Sequence, residues 1–177
     1  GPDDWTPSES PEISTYTKSK TLAVKAAWDF IDNQSGDESM ELVSVNPGGI
    51  FGPPLGRNIA GQSLSMMAQM LAGKIPMVPN FAFPMVDVRD VAKLQVQALT
   101  HPDVAGLRIL AARSEPTSFA SVAKLLNDHG YKGPKQRLAP SWLLRIAGLF
   151  DREAKGMLGF VGMNISADNT KTRQLFD

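Results

Sequence analysis

A tyrosine and a lysine four residues apart give the sharpest chemical signal in the sequence. They lie in Tyr16-Thr-Lys-Ser-Lys20, and in a helix this spacing puts both side chains on one face, one turn apart. A neighbouring ammonium stabilises a phenolate, so Tyr16 becomes a better proton donor to a carbonyl oxygen. The same spacing also arises by chance, and a lysine beside a core tyrosine can simply extend its ammonium to water.

The helix that would carry this pair is predicted from about Ser14 to Ile31. Its apolar residues fall at helical spacing, and the face of Tyr16 and Lys20 continues through apolar positions, which predicts a buried stripe. An unpaired buried ammonium is costly, so a lysine in line with that stripe calls for a chemical reason. The apolar positions are Leu22, Ala23, Ala26, Ala27, Phe30 and Ile31.

A short strand and a loop follow this helix. Residues 41–45 are rich in β-branched side chains and predict a buried strand, whereas the prolines and glycines of residues 46–54 exclude a helix. Because Gly48 and Gly49 have no side chains, a flat ring could approach their backbone closely.

The remaining elements alternate between helices and short strands. Apolar spacing predicts helices that end near Gly73, begin at an Asp90 N-cap, begin at Thr117 or Ser118, and cover residues 141–150. A strand is expected at residues 107–111, residues 75–86 predict strand or loop, and Asp168 would cap a last short helix. This order indicates an α/β protein with some parallel sheet.

The composition excludes several classes of function. Of 177 residues, 42% are hydrophobic, and 18 basic side chains balance 18 acidic ones, so we expect no nucleic-acid partner that relies on broad phosphate neutralisation. The absence of cysteine excludes disulfides, thiolate metal sites and a cysteine nucleophile. His101 and His129 predict surface loops and no metal site. No apolar run is long enough to span a membrane, and no signal peptide is evident, so a cytoplasmic protein is expected.

Four motifs, in the same order and spacing, resemble those of the extended short-chain dehydrogenase/reductase family, in particular its dihydroflavonol-4-reductase-like aldehyde and ketone reductases. Val24 departs from the family pattern, in which a glutamate is usual. The motifs are Tyr16-Thr-Lys-Ser-Lys-Thr-Leu-Ala-Val-Lys-Ala-Ala-Trp-Asp-Phe30, Val45-Asn-Pro-Gly-Gly-Ile-Phe-Gly-Pro53, Phe83-Pro-Met-Val-Asp-Val-Arg-Asp-Val-Ala92 and Ser166-Ala-Asp-Asn-Thr-Lys-Thr-Arg173.

The resemblance implies a reaction and a set of site residues. The full-length enzyme, of which this chain would be a part, would be an NAD(P)H-dependent oxidoreductase that reduces a small aldehyde or ketone to an alcohol. NADP is expected as its cofactor ahead of NAD. Tyr16 would be the proton donor, and Lys20 would activate it and bind the nicotinamide ribose. The nicotinamide would be lined by Pro47, Gly48, Gly49 and Ile50.

The resemblance also implies the architecture. We expect the C-terminal part of a Rossmann-type doubly wound parallel sheet plus a small α/β substrate-binding domain. Residues 1–60 would be the remnant of the dinucleotide-binding domain, and residues 61–177 mainly the substrate-binding region, with residues 83–100 returning to the Rossmann part. No glycine-rich pyrophosphate turn follows a first strand, and the family's catalytic serine has no counterpart. The chain by itself is therefore expected to be inactive, and either to self-associate through its truncated sheet or to derive from a longer protein cleaved during preparation.

Two other functions are compatible with the same residues. A non-catalytic binding protein could keep the reductase shape, and a nucleotide-sugar epimerase or dehydratase would use the same tyrosine and lysine. An apolar substrate cleft is a further hypothesis, although side chains of this type more often fill a core. Its walls would be Met66, Met67, Met70, Phe81 and Phe83.

Overall fold

Six helices and five strands form the part of the chain that the computed structural model describes, residues 2–10, 13–35, 40–57, 61–150 and 158–176. The helices are α1 (Thr15–Asp32), α2 (Gln62–Leu71), α3 (Val88–Ala98), α4 (Phe119–Asp128), α5 (Ser141–Phe150) and α6 (Thr170–Phe176). The strands are β1 (Ser44–Pro47), β2 (Gly49–Phe51), β3 (Ala82–Asp87), β4 (Arg108–Ala111) and β5 (Pro116–Ser118).

Helix α1 begins where the sequence predicts, because Ser14 is its N-cap. The Ser14 hydroxyl accepts a hydrogen bond from the backbone N–H of Thr17 at 3.1 Å, which satisfies one of the free N–H groups of the first turn. None of its residues is buried. The expectation of a buried stripe is therefore wrong for this helix, and Ala23 and Ala27 are exposed.

The strands form two small sheets that meet at a glycine. Strand β1 pairs in parallel with β4, and β2 pairs in parallel with β3, which pairs antiparallel with β5. Gly48 is the single residue between β1 and β2, so the chain passes from one sheet to the other there. The predicted strand at 41–45 starts three residues later, and part of the predicted loop 46–54 pairs as strand.

Two hydrophobic cores lie on opposite faces of β2 and β3. Alternate strand residues point to opposite faces, and Ile50 and Val86 pack into one core whereas Phe51 and Met85 pack into the other. The buried residues of the first core are Val91, Leu94, Ala98, Val104, Ile109 and Ala111. Those of the second core are Met66, Met70, Val78, Phe119 and Ala123.

The second core corrects two predictions about α2. The helix predicted to end near Gly73 has apolar spacing at Leu64, Met67, Ala68 and Leu71. Leu71 is exposed, whereas Met66 and Met70 supply the buried side chains of this helix. The same two methionines were candidates for the wall of a substrate cleft, together with Phe81 and Phe83. Both methionines are buried and both phenylalanines are half-buried against this core, so these four side chains fill a core.

Helix α3 begins three residues earlier than predicted. Asp87 is its N-cap and accepts the backbone N–H of Arg89 at 2.8 Å, whereas Asp90 lies within the first turn. The expectation of an Asp90 cap is therefore wrong, because β3 runs directly into the helix and leaves Asp87 at the junction.

The C-terminal elements agree with the sequence. Ser118 caps α4, and Gly130, with φ of +90°, follows that helix in the left-handed region. Asp168 accepts the backbone N–H of Thr170 at the start of α6. Helix α6 is attached to β4 by the hydroxyl of Thr172, which donates to the carbonyl oxygen of Leu110. Within the described residues, none of the helices combines the length and apolar character that crossing a membrane requires.

Candidate active site

Tyr16 and Lys20 lie one turn apart near the start of α1, as the sequence predicts. The Nζ atom of Lys20 is 5.5 Å from the centroid of the Tyr16 ring, within the range of a cation–π contact. Lys18, which lies between them in the sequence, forms an ion pair with Glu9 at 3.4 Å. Among the described residues, no carboxylate pairs with Lys20, so its ammonium is free to meet a ligand.

The pair is open to solvent. Tyr16 is 68% exposed, and Lys20 is exposed as well. Lys20 therefore does not lie in a buried stripe, and the expectation that its burial requires a chemical role is wrong. What the pair offers is a hydroxyl and an ammonium side by side on an accessible helix face, a donor set that suits the hydroxyl groups of a ribose and the oxygen of a carbonyl.

The predicted nicotinamide loop, Pro47–Ile50, joins the two sheets. Gly48 donates its backbone N–H to the carbonyl oxygen of Ala111 at 3.0 Å, which extends the pairing of β1 with β4 by one residue. The loop is thus held on both sides by strands, so its backbone groups have fixed positions at the carboxyl end of β1.

The glycines of this loop are needed for a reason that the sequence did not reveal. A Cβ atom on Gly48 would collide with the carbonyl oxygen of Pro84, and one on Gly49 would collide with the ring of Phe83. Strand β3 therefore lies on the side of Gly48 and Gly49 where a side chain would project, so a flat ligand cannot approach them from that side. The absence of side chains at these two positions is explained by packing between neighbouring strands.

The structure does not join the two groups of predicted site residues. No hydrogen bond, ion pair or ring contact links Tyr16 or Lys20 to Pro47–Ile50, all of which lie in the described part of the chain. A groove of about 530 Å³ lies at the other end of α1, around Phe30 and Asn33. At 1.5 Å per residue, Phe30 is about 20 Å from Tyr16 along the helix.

A series of three glycines near the C-terminus was not among the predicted site residues. Gly156, Gly159 and Gly162 recur every third residue, as in some pyrophosphate turns. Gly159 lies in a short 3₁₀ helix, Leu158–Phe160, and Gly162 follows it with φ of +82°, whereas Gly156 lies outside the described residues. A dinucleotide turn connects a strand to a helix, and these two glycines occupy no such connection.

Five phenylalanines form an aromatic cluster beside the loop. Phe51 follows Ile50 at the end of β2. Its ring centroid is 6.4 Å from that of Phe83 and 6.5 Å from that of Phe119. Phe81 extends the cluster to Phe160, with 6.1 Å between the two ring centroids. The periodicity of a short strand cannot show which aromatic rings meet across elements.

Comparison with known proteins gives the fold class first. No family model matches the chain. In the crystal structure of Gre2 from Candida albicans in complex with NADPH, the matching region covers 90% of this chain and 45% of that one, at 28% identity and a TM-score of 0.61. The expected α/β fold, part of a Rossmann-type protein, is confirmed.

Related sequences give the family. A ketoreductase of Aspergillus niger, azaE, is 34% identical over 180 residues, and the NADPH-dependent methylglyoxal reductase GRE2 of Saccharomyces cerevisiae is 28% identical over 132 residues. The alignments cover 97% and 72% of this chain, but only 47% and 38% of these relatives. The resemblance to extended short-chain dehydrogenase/reductases is confirmed, over less than half the length of the two relatives.

Proposed function

We propose that this chain carries the catalytic tyrosine and lysine of an NADPH-dependent carbonyl reductase that acts on a small aldehyde or ketone. The observation that carries the proposal is the contact between Lys20 and Tyr16, 5.5 Å from ammonium to ring centroid, on an accessible face of α1. The relatives support the cofactor and substrate class, because one is an NADPH-dependent methylglyoxal reductase and another is a ketoreductase.

NADPH, when bound, supplies the hydride that reduces the carbonyl carbon. The Tyr16 hydroxyl donates its proton to the carbonyl oxygen, so the product is an alcohol and the tyrosine is left as a phenolate. The Lys20 ammonium stabilises that phenolate through its positive charge and donates hydrogen bonds to the nicotinamide ribose. Pro47, Gly48, Gly49 and Ile50 would meet the carboxamide with the backbone groups that strand pairing leaves free, on the side that β3 does not cover.

The chain contributes only the nicotinamide side of such a site. Within the residues that the structure describes, no glycine-rich turn connects a strand to a helix, and such a turn is the element that binds a pyrophosphate. We therefore expect the isolated chain to bind NADPH no better than reduced nicotinamide mononucleotide, and to turn over little or no substrate.

Two alternatives are less well supported. The relatives named above are reductases, which favours reduction over sugar-nucleotide epimerisation. The intact pair of Tyr16 and Lys20 favours catalysis over a purely binding role, although Val24 still departs from the family pattern. Location in the cytoplasm stays a prediction from the sequence.

The test is a fluorescence titration of the purified chain with NADPH and, separately, with reduced nicotinamide mononucleotide. We expect similar, weak affinities for both. Lys20→Met should weaken them about ten- to a hundredfold, the effect of losing a charged hydrogen bond. Lys18→Met is the matched control, because Lys18 lies two residues away on the same helix and pairs with Glu9.

Two results would overturn the proposal. If Lys20→Met and Lys18→Met behave alike, Lys20 does not hold the cofactor. If NADPH binds far more tightly than the mononucleotide, the chain has an adenosine site that the proposal does not contain.

A further inference from the structure

A second cavity lies where the N-terminal segment meets α1, β4 and α6. Its volume is about 150 Å³. Because Trp28 is twelve residues beyond Tyr16, the cavity is about 18 Å along α1 from the candidate active site. It is lined by Asp3, Trp5, Trp28, Gly106, Leu107, Arg108 and Lys171.

Two side chains of this cavity carry buried N–H groups without partners. The indole Nε1 of Trp28 and the guanidinium Nε of Arg108 are buried, and neither has a hydrogen-bond partner among the described residues. Buried donors are almost always paired, because an unpaired one loses its hydrogen bond to water and gains nothing. Both groups can only donate, so what they lack is an acceptor.

The surroundings of these donors are cationic. The Arg108 guanidinium stacks on the Trp5 ring at 3.9 Å and donates from Nη1 to the carbonyl oxygen of Asp4 at 3.0 Å, which fixes its plane. Lys25 lies over the same ring, with Nζ 5.7 Å from its centroid. Lys171 and Asp3 line the cavity as well.

Three positive charges, on Arg108, Lys25 and Lys171, outnumber two nearby carboxylates: Asp3 in the lining, and Asp4, whose charge acts on Arg108. Together with the two unpaired donors, this excess favours a negatively charged acceptor. The volume of about 150 Å³ is that of about five water molecules at 30 Å³ each, which suits one carboxylate or phosphate group. Hydrogen bonds from N–H groups to an oxyanion are among the strong ones.

We propose that this cavity is a binding site for the oxyanion, carboxylate or phosphate, of a small acidic molecule. Trp28 Nε1 and Arg108 Nε donate to its oxygens, while Lys171 and Lys25 add charge at the rim. The rings of Trp5 and Trp28 line the same cavity. The site is separate from Tyr16 and Lys20, so it does not depend on the proposed reductase activity.

The experiment follows the indole N–H signals of the whole chain by ¹H–¹⁵N NMR. Sodium phosphate and sodium acetate are titrated separately at constant ionic strength, with sodium chloride as the balance. The chain has three tryptophans, and Trp142, 63% exposed on α5, is the internal reference. Trp28→Phe assigns the critical signal and removes the indole N–H donor while keeping an aromatic ring.

We expect saturable shifts of the Trp28 and Trp5 signals and none of Trp142. Arg108→Met should raise the dissociation constant about ten- to a hundredfold, as expected for a lost hydrogen bond to a charged group. Arg145→Met, at an exposed position on α5, should leave it unchanged. Tighter binding of phosphate or of acetate identifies which oxyanion the site prefers.

The proposal is overturned if the Trp28 signal does not move at tens of millimolar of either anion. It is also overturned if Trp142 shifts equally, because that is a general salt effect. Should Arg108→Met fail to fold, Trp28→Phe provides the same test through the Trp5 signal. Unchanged affinity in that variant contradicts the proposal.

Discussion

Gly48 lies against the carbonyl oxygen of Pro84, so closely that no Cβ atom fits between them. Gly48 is also the residue at which the chain leaves one sheet for the other, and on its other side it bonds to Ala111. The obstruction is backbone on β3, which cannot move aside as the end of a flexible side chain can. This glycine therefore sets the distance between β3 and the loop proposed to hold the nicotinamide.

Gly48→Ala should destabilise the chain. Overpacking against a fixed backbone typically costs about 1–3 kcal/mol of the free energy of unfolding, measured here by urea denaturation. Gly56→Ala is the control, because a Cβ atom there meets nothing within 4 Å. Equal stability of the two variants would contradict the close approach of Gly48 to β3.

Met70→Ala tests the second core. The side chain is 1% exposed and packs with Val78 and Phe119, so truncation should cost about 2–5 kcal/mol. Met163→Ala removes the same atoms from a half-exposed position and should stay within about 0.5 kcal/mol. If the losses are equal, Met70 does not lie in a core, and the cleft hypothesis returns.

Asp87 should make the stability depend on pH. Hydrogen bonds from the Arg89 side chain, and then from its backbone N–H, lower the pKa of Asp87 from 3.8 to about 2. The pKa of Asp87 is lower in the folded chain than in the unfolded chain. The stabilisation by its charge is therefore complete above about pH 4 and is lost as the pH falls toward about 2.

Asp87→Asn isolates that charge, since asparagine also caps helices well. The difference in unfolding free energy between wild type and this variant should be largest near neutral pH and should vanish in acid. Asp90→Asn is the matched control on the same helix. A larger pH-dependent effect at Asp90 would restore it as the cap.

We also predict that the chain self-associates through the free edge of β1 and the exposed apolar side chains of α1. In the described part of the chain, β1 pairs only with β4, and α1 exposes Phe30 and Leu22. We expect light scattering to give at least twice the mass of one chain. Phe30→Glu should reduce association more than Val96→Glu, an exposed apolar position on α3. A monodisperse monomer that unfolds cooperatively would contradict this prediction.

Much of the local structure could be predicted from the sequence. The boundaries of α1 and α4 follow from Ser14 and Ser118, because capping depends on a few neighbouring residues. The one-turn spacing of Tyr16 and Lys20 is likewise a property of any helix.

The errors concern contacts between elements. Asp87 and Asp90 have equal capping chemistry, and only the end of β3 decides between them. The exposure of α1 depends on what packs against it, and the purpose of Gly48 depends on where β3 runs. Periodicity within one element carries none of this information.

The most direct test of the central claim is the rate of NADPH consumption with methylglyoxal, measured on the natural protein that contains this sequence. Tyr16→Phe removes the proton donor and should lower kcat about a hundredfold or more, the usual effect of losing a general acid. Tyr131→Phe, at the second of the chain's two tyrosines, should leave kcat unchanged. If Tyr16→Phe retains the wild-type rate, Tyr16 is not the proton donor and the proposed function fails.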